Sequence, residues 1–217
     1  MGNRRLEALI EPRRIARLDD VLSRRTRNLT LLLEDLYDPH NASACLRSAE
    51  AFGLQDIYVV EAENRFTPNQ RVVQGAQQWL DLFRFEDTGS CLNALRARGY
   101  RIYASDLAAT CSLESLDFTQ PTALAFGAEH SGASSALLRG ADATFRIPMR
   151  GFSQSFNVSV AVALCLYHAI TERTRLLGPA GDLSPGEREV LRDRWLEVAL
   201  KRGETIARTL RRGRDTV

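Results

Sequence analysis

Three polar clusters in the 217-residue chain gather the residue types that bind and orient a reactant. The first is Asn41-Ala-Ser43-Ala-Cys45-Leu46-Arg47. On a helix Ser43 and Arg47 are four apart and share a face. Arg47 stands among apolar residues, so its charge faces a cleft, a phosphate, or a carboxylate of its own chain at Glu50 or Asp38. The second is Phe126-Gly127-Ala128-Glu129-His130-Ser131-Gly132, where a strand runs into two glycines and a polar bend that leave backbone groups free to meet a ligand. The third is the stretch from Ile147 to Ala161, IPMRGFSQSFNVSVA, with Ser153, Gln154, Ser155 and Asn157 just before an apolar helix. There Ser155 or Asn157 is placed to cap the helix by accepting from its free N–H groups. The three clusters supply a guanidinium, a carboxylate at Glu129, and hydroxyl and amide groups. They hold no metal-ligand constellation and no pair of carboxylates at acid/base spacing. Such a set suits a polyanion together with a neutral or zwitterionic cofactor, in an enzyme or in a pure binding module. A Ser-His-Asp hydrolase is disfavoured, because His130 and Ser131 are adjacent, no G-x-S-x-G elbow exists, and only His40 and His168 remain.

The elements that must position these groups alternate. Residues 4–26 read as a helix interrupted at Pro12, with arginines outside its apolar stripe. Strands are predicted at Asn28–Leu36, Asp56–Val60, Trp79–Phe85, Tyr100–Leu107, Thr122–Ala128 and Thr144–Met149. Helices are predicted from Asn41 or Ser43 to Phe52, over Ser90–Arg98 and Ser134–Arg139, over 155–177, and over 186–212 with a break at Gly203. The 155–177 helix is apolar almost all round, which predicts burial. Strand–helix alternation argues for an α/β domain with a mostly parallel sheet, helices on both faces, and the clusters at the C-terminal strand ends. The expected organisation is a basic N-terminal helical extension (1–27), a central domain (28–177) and a basic C-terminal helical tail (178–217).

The charge is distributed to match. Residues 1–27 carry eight arginines against four acids, residues 170–217 eleven basic groups against eight acids, and the middle ten against fifteen. Basic ends around an acidic centre suit a polyanion held by the termini. Of the 29 basic residues only Lys201 is a lysine, and arginine favours planar, bidentate phosphate contacts. No apolar run approaches membrane-spanning length, and MGNRRLEALIEPRR has no signal-peptide pattern, so a cytoplasmic protein is expected. Cys45, Cys91, Cys111 and Cys165 form no CxxC pair and read as buried reduced thiols.

Taken in order, the clusters resemble the motifs of the SpoU (TrmH-type) branch of the SPOUT RNA methyltransferases: N-x-S-A-x-x-R, F-G-x-E-x-x-G, and I-P-M-x-G-x-x-x-S-x-N-V-S-V-A. The likeness spans about residues 28–170. Asp35-Leu-Tyr-Asp-Pro-His-Asn41 and Gly75-Ala-Gln-Gln-Trp79 further resemble the subgroup that methylates the D-loop guanosine of tRNA, position 18. The resemblance implies a deep trefoil knot at about 122–177, although knots are rare and nothing in the spacing shows one. It implies a homodimer with no metal, and S-adenosylmethionine bound by Ser105, Gly127, Ala128, Ile147, Met149 and Phe156. Arg47, Asn41, Glu129, Ser155 and Asn157 would form the catalytic set, with Asn41 and Asn157 orienting Arg47 and the ribose, and Ser155 supporting the loop. Contacts to tRNA would come from Arg13, Arg17, Arg24, Arg173 and Arg175.

The chain departs from the family pattern at His130-Ser131, where Lys-Trp is common, at Arg150-Gly-Phe152-Ser153, and at Thr171, where one of two paired arginines is replaced. The alternatives are the same chemistry on ribosomal RNA, and a non-catalytic RNA-binding protein on the same fold.

Overall fold

The computed structural model describes residues 4–179 and 181–214, with side chains over 6–201. In chain order the elements are α1 (Arg4–Glu7), α2 (Pro12–Ser23), β1 (Leu29–Glu34), α3 (Pro39–Ala51), β2 (Asp56–Val60), α4 (Gln70–Val73), β3 (Asp81–Phe85), α5 (Thr88–Ala97), β4 (Arg101–Ser105), β5 (Thr122–Phe126), α6 (Ser135–Gly140), β6 (Ala143–Phe145), α7 (Val158–Leu177) and α8 (Pro185–Arg214). Two compact units result. One comprises residues 26–180, and the other combines residues 1–25 with 181–217.

In the larger unit β1 is buried along its whole length, as its near-continuous apolar run LTLLLE requires of a central strand. The six strands form one parallel sheet in the order β3-β2-β1-β5-β4-β6. Alternation along β1 sends Leu29, Leu31 and Leu33 to a core shared with α3 and α7. Leu32 goes to the opposite core, shared with α5 and α6. β1 and β5 are neighbours, yet the chain leaves β1 toward β2 and leaves β5 toward β6. Such a reversal opens a crevice beyond the C-terminal strand ends. The carboxylate of Glu34, buried at the end of β1, accepts from Thr88 Oγ1 at 2.6 Å and from Ser134 N and Oγ at 2.8 Å, tying the starts of α5 and α6 to the sheet. At the other end of the sheet the buried Asp56 pairs with Arg27 and Arg98.

Several local expectations are corrected. Asp38, not Asn41 or Ser43, caps α3: its carboxylate accepts from His40 N at 2.8 Å, and Pro39 opens the helix where its missing N–H costs nothing. Asn41 and Ser43 therefore lie inside the first turns. β6 ends at Phe145, so Ile147 and Met149 stand in the loop that follows. β3 begins at Asp81, because Trp79 closes a short 3-10 turn. α7 is not buried all round. Ala161, Val162, Cys165, Leu166 and Ala169 pack on the core, while Val160, Leu164 and Tyr167 on another face are 45%, 41% and 63% exposed. Cys111 is exposed, unlike the other three thiols.

In the smaller unit Leu191, Trp195 and Leu196 of α8 are buried with Leu22 and Ile10. Arg192 pairs with Asp19 at 2.6 Å and with Glu7. The Arg25 guanidinium lies 5.0 Å from the Trp195 ring. Part of the terminal arginine content therefore holds the unit together. α8 runs on through Gly203 without the expected break, and the side chains of 202–217 in the basic tail lie outside the described residues.

Candidate active site

A chain of hydrogen bonds joins the three sequence clusters. The Glu129 carboxylate accepts from the backbone N–H of Tyr37 (3.0 Å) and Asp38 (3.2 Å) and from Asn41 Nδ2 (2.9 Å). Asn41 Oδ1 accepts from Asn157 Nδ2 at 3.0 Å. Asn157 Oδ1 caps α7 by accepting from Ser159 N at 2.9 Å. One carboxylate thus organises the loop after β1, the start of α3 and the start of α7. Burial on its own would raise the Glu129 carboxyl. The donors from Asn41, Tyr37 and Asp38 act against it and hold the group below the usual carboxylate range.

These residues line a cleft of about 810 Å³ at the strand ends. It contains Asn41, Glu129, Ser155 and Asn157 of the expected catalytic set, and all six expected cofactor residues: Ser105, Gly127, Ala128, Ile147, Met149 and Phe156. Its size is that of a nucleoside-scale ligand site. Leu107, Leu138, Ile147 and Met149 give it an apolar wall, whereas Asp38, Asp106 and Glu129 outnumber Arg146 among its charged groups. Hydrophobic walls beside an excess of carboxylate suit a heterocycle carried by a cationic, hydroxyl-bearing molecule.

The glycines serve a purpose other than the one read from the sequence. A Cβ on Gly127 would lie 2.1 Å from the Gly132 carbonyl oxygen. Gly132 has φ +69° and donates its N–H to the Ala128 carbonyl at 2.9 Å. The pair folds loop 127–132 tightly upon itself, and the loop then presents Glu129 and His130 to the cleft.

Arg47 departs from expectation. It does not line this cleft, and Asn41 and Asn157 orient each other and Glu129 rather than Arg47. Six residues along a helix rotate a side chain by about 240° from its starting direction, so Asn41 and Arg47 serve different faces of α3. The Arg47 guanidinium donates to the Val72 carbonyl at 3.3 Å and borders a separate groove of about 550 Å³ with Glu50, Phe52, Gln74 and Trp79. Its expected neighbour Ser43 is structural, donating to the Pro39 carbonyl at 2.7 Å.

The arginines expected to contact RNA divide. Arg13 is exposed on α2, Arg17 sits 3.5 Å from Asp20, and Arg24 pairs with the same carboxylate. Arg175 pairs with Glu172 at 2.7 Å. Arg173 donates to the Phe118 carbonyl at 2.7 Å and the Gln120 carbonyl at 3.1 Å, which makes it a brace between α7 and the loop before β5. Sequence reading missed Asp106, Leu107 and Leu138, although Asp106 directly follows Ser105 at a strand end. The backbone donors of Tyr37 and Asp38 leave no trace in side-chain identity.

An all-parallel sheet with a nucleoside-sized cleft at its chain reversal defines a cofactor-binding α/β protein. The chain belongs to the SpoU rRNA methylase family, which matches residues 28–167. A tRNA (guanosine(18)-2'-O)-methyltransferase of Borreliella burgdorferi is 36% identical over 202 residues, covering 93% of this chain and 92% of that protein. The crystal structure of a TrmH/SpoU tRNA modifying enzyme from A. aeolicus superposes with a TM-score of 0.79 at 30% identity, covering 85% of this chain and 95% of that one. The SpoU methyltransferase AviRb from Streptomyces viridochromogenes, solved in complex with AdoMet, superposes at 0.65 with 28% identity, over 72% of this chain and 64% of that one.

Proposed function

We propose that this chain is an S-adenosylmethionine-dependent tRNA 2'-O-methyltransferase acting on the ribose of the D-loop guanosine at position 18. The observation that carries the reading is the joining of the three family motifs by the Glu129–Asn41–Asn157 hydrogen bonds around one cleft. The likeness to a tRNA (guanosine(18)-2'-O)-methyltransferase over nearly the whole chain supports the substrate.

The cleft fits the cofactor: its apolar wall suits adenine, Asp106 and Ser105 suit ribose hydroxyls, and the acidic excess suits a sulfonium. When bound, S-adenosylmethionine supplies an electrophilic methyl group. The protein's part is to orient and to exclude water. Glu129 holds Asn41 and the loop after β1, Asn157 holds the start of α7, and Ser155, Ile147, Met149 and Phe156 form the far wall. A guanidinium has donors and no acceptor, so Arg47 does not serve as the general base. It acts by fixing a phosphate of the target nucleotide, which places the 2'-hydroxyl for attack.

Arg47 and the cleft open on different faces of α3, so the reading includes a homodimer in which the groove of one protomer serves the cleft of its partner. The exposed apolar stripe Val160, Leu164 and Tyr167, with Phe152 beyond it, supports that pairing. A trefoil knot over about 122–177 is part of the reading. It is supported by β6 lying at the sheet edge while α7 returns to pack on α3, with Arg146 paired to Cys111 and Leu113 between them. The domain division, with basic helical ends flanking the methyltransferase core, belongs to the same reading. Arg13, Arg17, Arg24 and Arg175 would contact tRNA phosphates, and the protein would act in the cytoplasm; no described helix is long and apolar enough to cross a membrane.

The test is methyl transfer from labelled S-adenosylmethionine to an unmodified tRNA transcript and to ribosomal RNA, with nucleotide mapping. A single 2'-O-methylguanosine in the tRNA D-loop is expected. Label on ribosomal RNA alone would overturn the substrate, and absence of cofactor binding would overturn the enzyme class.

A further inference from the structure

Transfer of a methyl group to a ribose 2'-oxygen frees a proton, and Arg47 offers no acceptor for it. The titratable and charged groups facing the cleft, among the described residues, are Tyr37 and Asp38 from the loop before α3, Asp106 after β4, Glu129 and His130 after β5, and Arg146 after β6. Most of them are committed. Burial raises the Glu129 carboxyl, but the donors from Asn41, Tyr37 and Asp38 outweigh it and hold the group below the usual carboxylate range, which makes it a poor base. Asp38 Oδ1 accepts from His40 N at 2.8 Å at the start of α3, and Asp106 Oδ1 accepts from Ala108 N at 3.0 Å. A phenol and a guanidinium carry their protons at neutral pH. His130 differs from all of these. It sits in the middle of the three-residue turn 129–131, which is closed by the Gly132 N–H donating to the Ala128 carbonyl at 2.9 Å. The Glu129 carboxylate ties the same turn to the loop before α3, so the backbone around His130 is held on both sides. Its imidazole is exposed and has no hydrogen bond, ion pair or ring contact among the described residues.

We propose that His130 is the proton acceptor for the ribose 2'-hydroxyl, a catalytic residue of the methyl transfer. The inference deepens the proposed RNA methyltransferase reading and rests on it. A neutral imidazole has one ring nitrogen with a free lone pair. The hydroxyl proton passes to that nitrogen as the ribose oxygen forms its bond to the methyl carbon. The bond from that carbon to sulfur breaks in the same step, and its electron pair stays on the sulfur as a neutral thioether. The imidazolium then gives its proton to water, which its exposed position admits. A general base is most effective when its conjugate acid titrates near the working pH, which an imidazole does and a carboxylate does not. Placement and proton removal are therefore separate tasks. Arg47 fixes the nucleotide, and His130 takes the proton from a turn whose backbone is already fixed.

The experiment measures single-turnover methyl transfer to unmodified tRNA across the range of about pH 5.5 to 8.5, in the full-length wild type and in His130→Gln. The wild-type rate should rise about tenfold per pH unit in acid and level off near neutrality. Glutamine keeps a polar side chain but has no basic nitrogen. The variant should lose about a hundredfold at the wild-type plateau, the scale of a general base, and the break in its profile should vanish. Cofactor affinity by calorimetry and tRNA affinity by filter binding should stay within about twofold, which checks the fold and separates the role from substrate binding. A second arm needs no variant. It follows acylation of the three histidines by diethyl pyrocarbonate, mapped by mass spectrometry, in protein loaded with S-adenosylhomocysteine. Adding tRNA is expected to abolish acylation of His130, and an unchanged rate overturns the inference. Transfer by His130→Gln at the wild-type rate, or at a lower rate with the break at its original pH, overturns the inference and leaves the methyltransferase reading standing. Absence of transfer by wild type to any RNA sinks that reading and the inference with it.

Discussion

At the residue scale the site turns on one carboxylate with three donors. Replacing Glu129 by Gln keeps the size but turns an amide N–H₂ toward donors, and leaves one of Tyr37 N, Asp38 N or Asn41 Nδ2 without an acceptor. A loss of about 1–3 kcal/mol is expected, read by denaturant unfolding at neutral pH. The sign of its pH dependence follows from the lowered carboxyl. The stabilisation from Glu129 is fully present above the unfolded-state value and is lost as pH falls through the folded-state one, so wild type and Glu129→Gln should converge in acid. A constant gap down to pH 2 would show that the carboxylate charge is irrelevant. Arg47 gives the opposite kind of variant. Because it lies outside the cleft, Arg47→Lys should abolish most turnover through loss of the planar fork while cofactor affinity stays within about twofold. Calorimetric titration with the cofactor, beside the transfer assay, separates the two effects.

At the element scale two loop-to-helix joints carry the geometry. Gly127→Ala puts a methyl group 2.1 Å from a backbone oxygen, and no flexible side chain is there to yield. Loop 127–132 must open, which displaces Glu129. The expected result is at least a tenfold rise in cofactor Kd and a destabilisation of about 1–3 kcal/mol. Wild-type binding in that variant would mean the loop is not part of the site. Asn157→Ala removes the cap of α7 and the tie to Asn41 together. A cap is worth about 1 kcal/mol, so a larger loss in thermal unfolding would measure the tie. Local sequence chemistry narrowed the cap of α7 to Ser155 or Asn157, and the fold selects Asn157. For α3 it pointed to Asn41 or Ser43, whereas the cap is Asp38, the residue preceding the proline.

At the scale of the whole molecule, the outward apolar face of α7 is the feature that a single chain leaves uncovered. Leu164→Glu places a charge on it without touching the core. If α7 mediates self-association, that variant should sediment at half the mass of the wild type and lose methyl transfer while keeping cofactor binding. An unchanged mass would remove α7 from the interface. Binding of tRNA through the terminal arginines should weaken steeply with salt, on the order of tenfold or more between 50 and 200 mM. Arg173 should contribute little to that slope, since its guanidinium serves two carbonyls of its own chain.

Residue order alone is enough for the alternation of strands and helices, the apolar identity of the central strands, and the three clusters that meet in the cleft. These follow from local periodicity and from residue types whose chemistry does not depend on distant neighbours. Packing of the folded chain is what turns Asn41 and Arg47, six residues apart, to different cavities and brings Glu129 to Asn41 across 88 positions of chain. It alone separated the two faces of α7, which are equally apolar in sequence and differ in what covers them. Such pairings depend on strand order and helix rotation, and those arise from the packing of the whole sheet rather than from any window of residues.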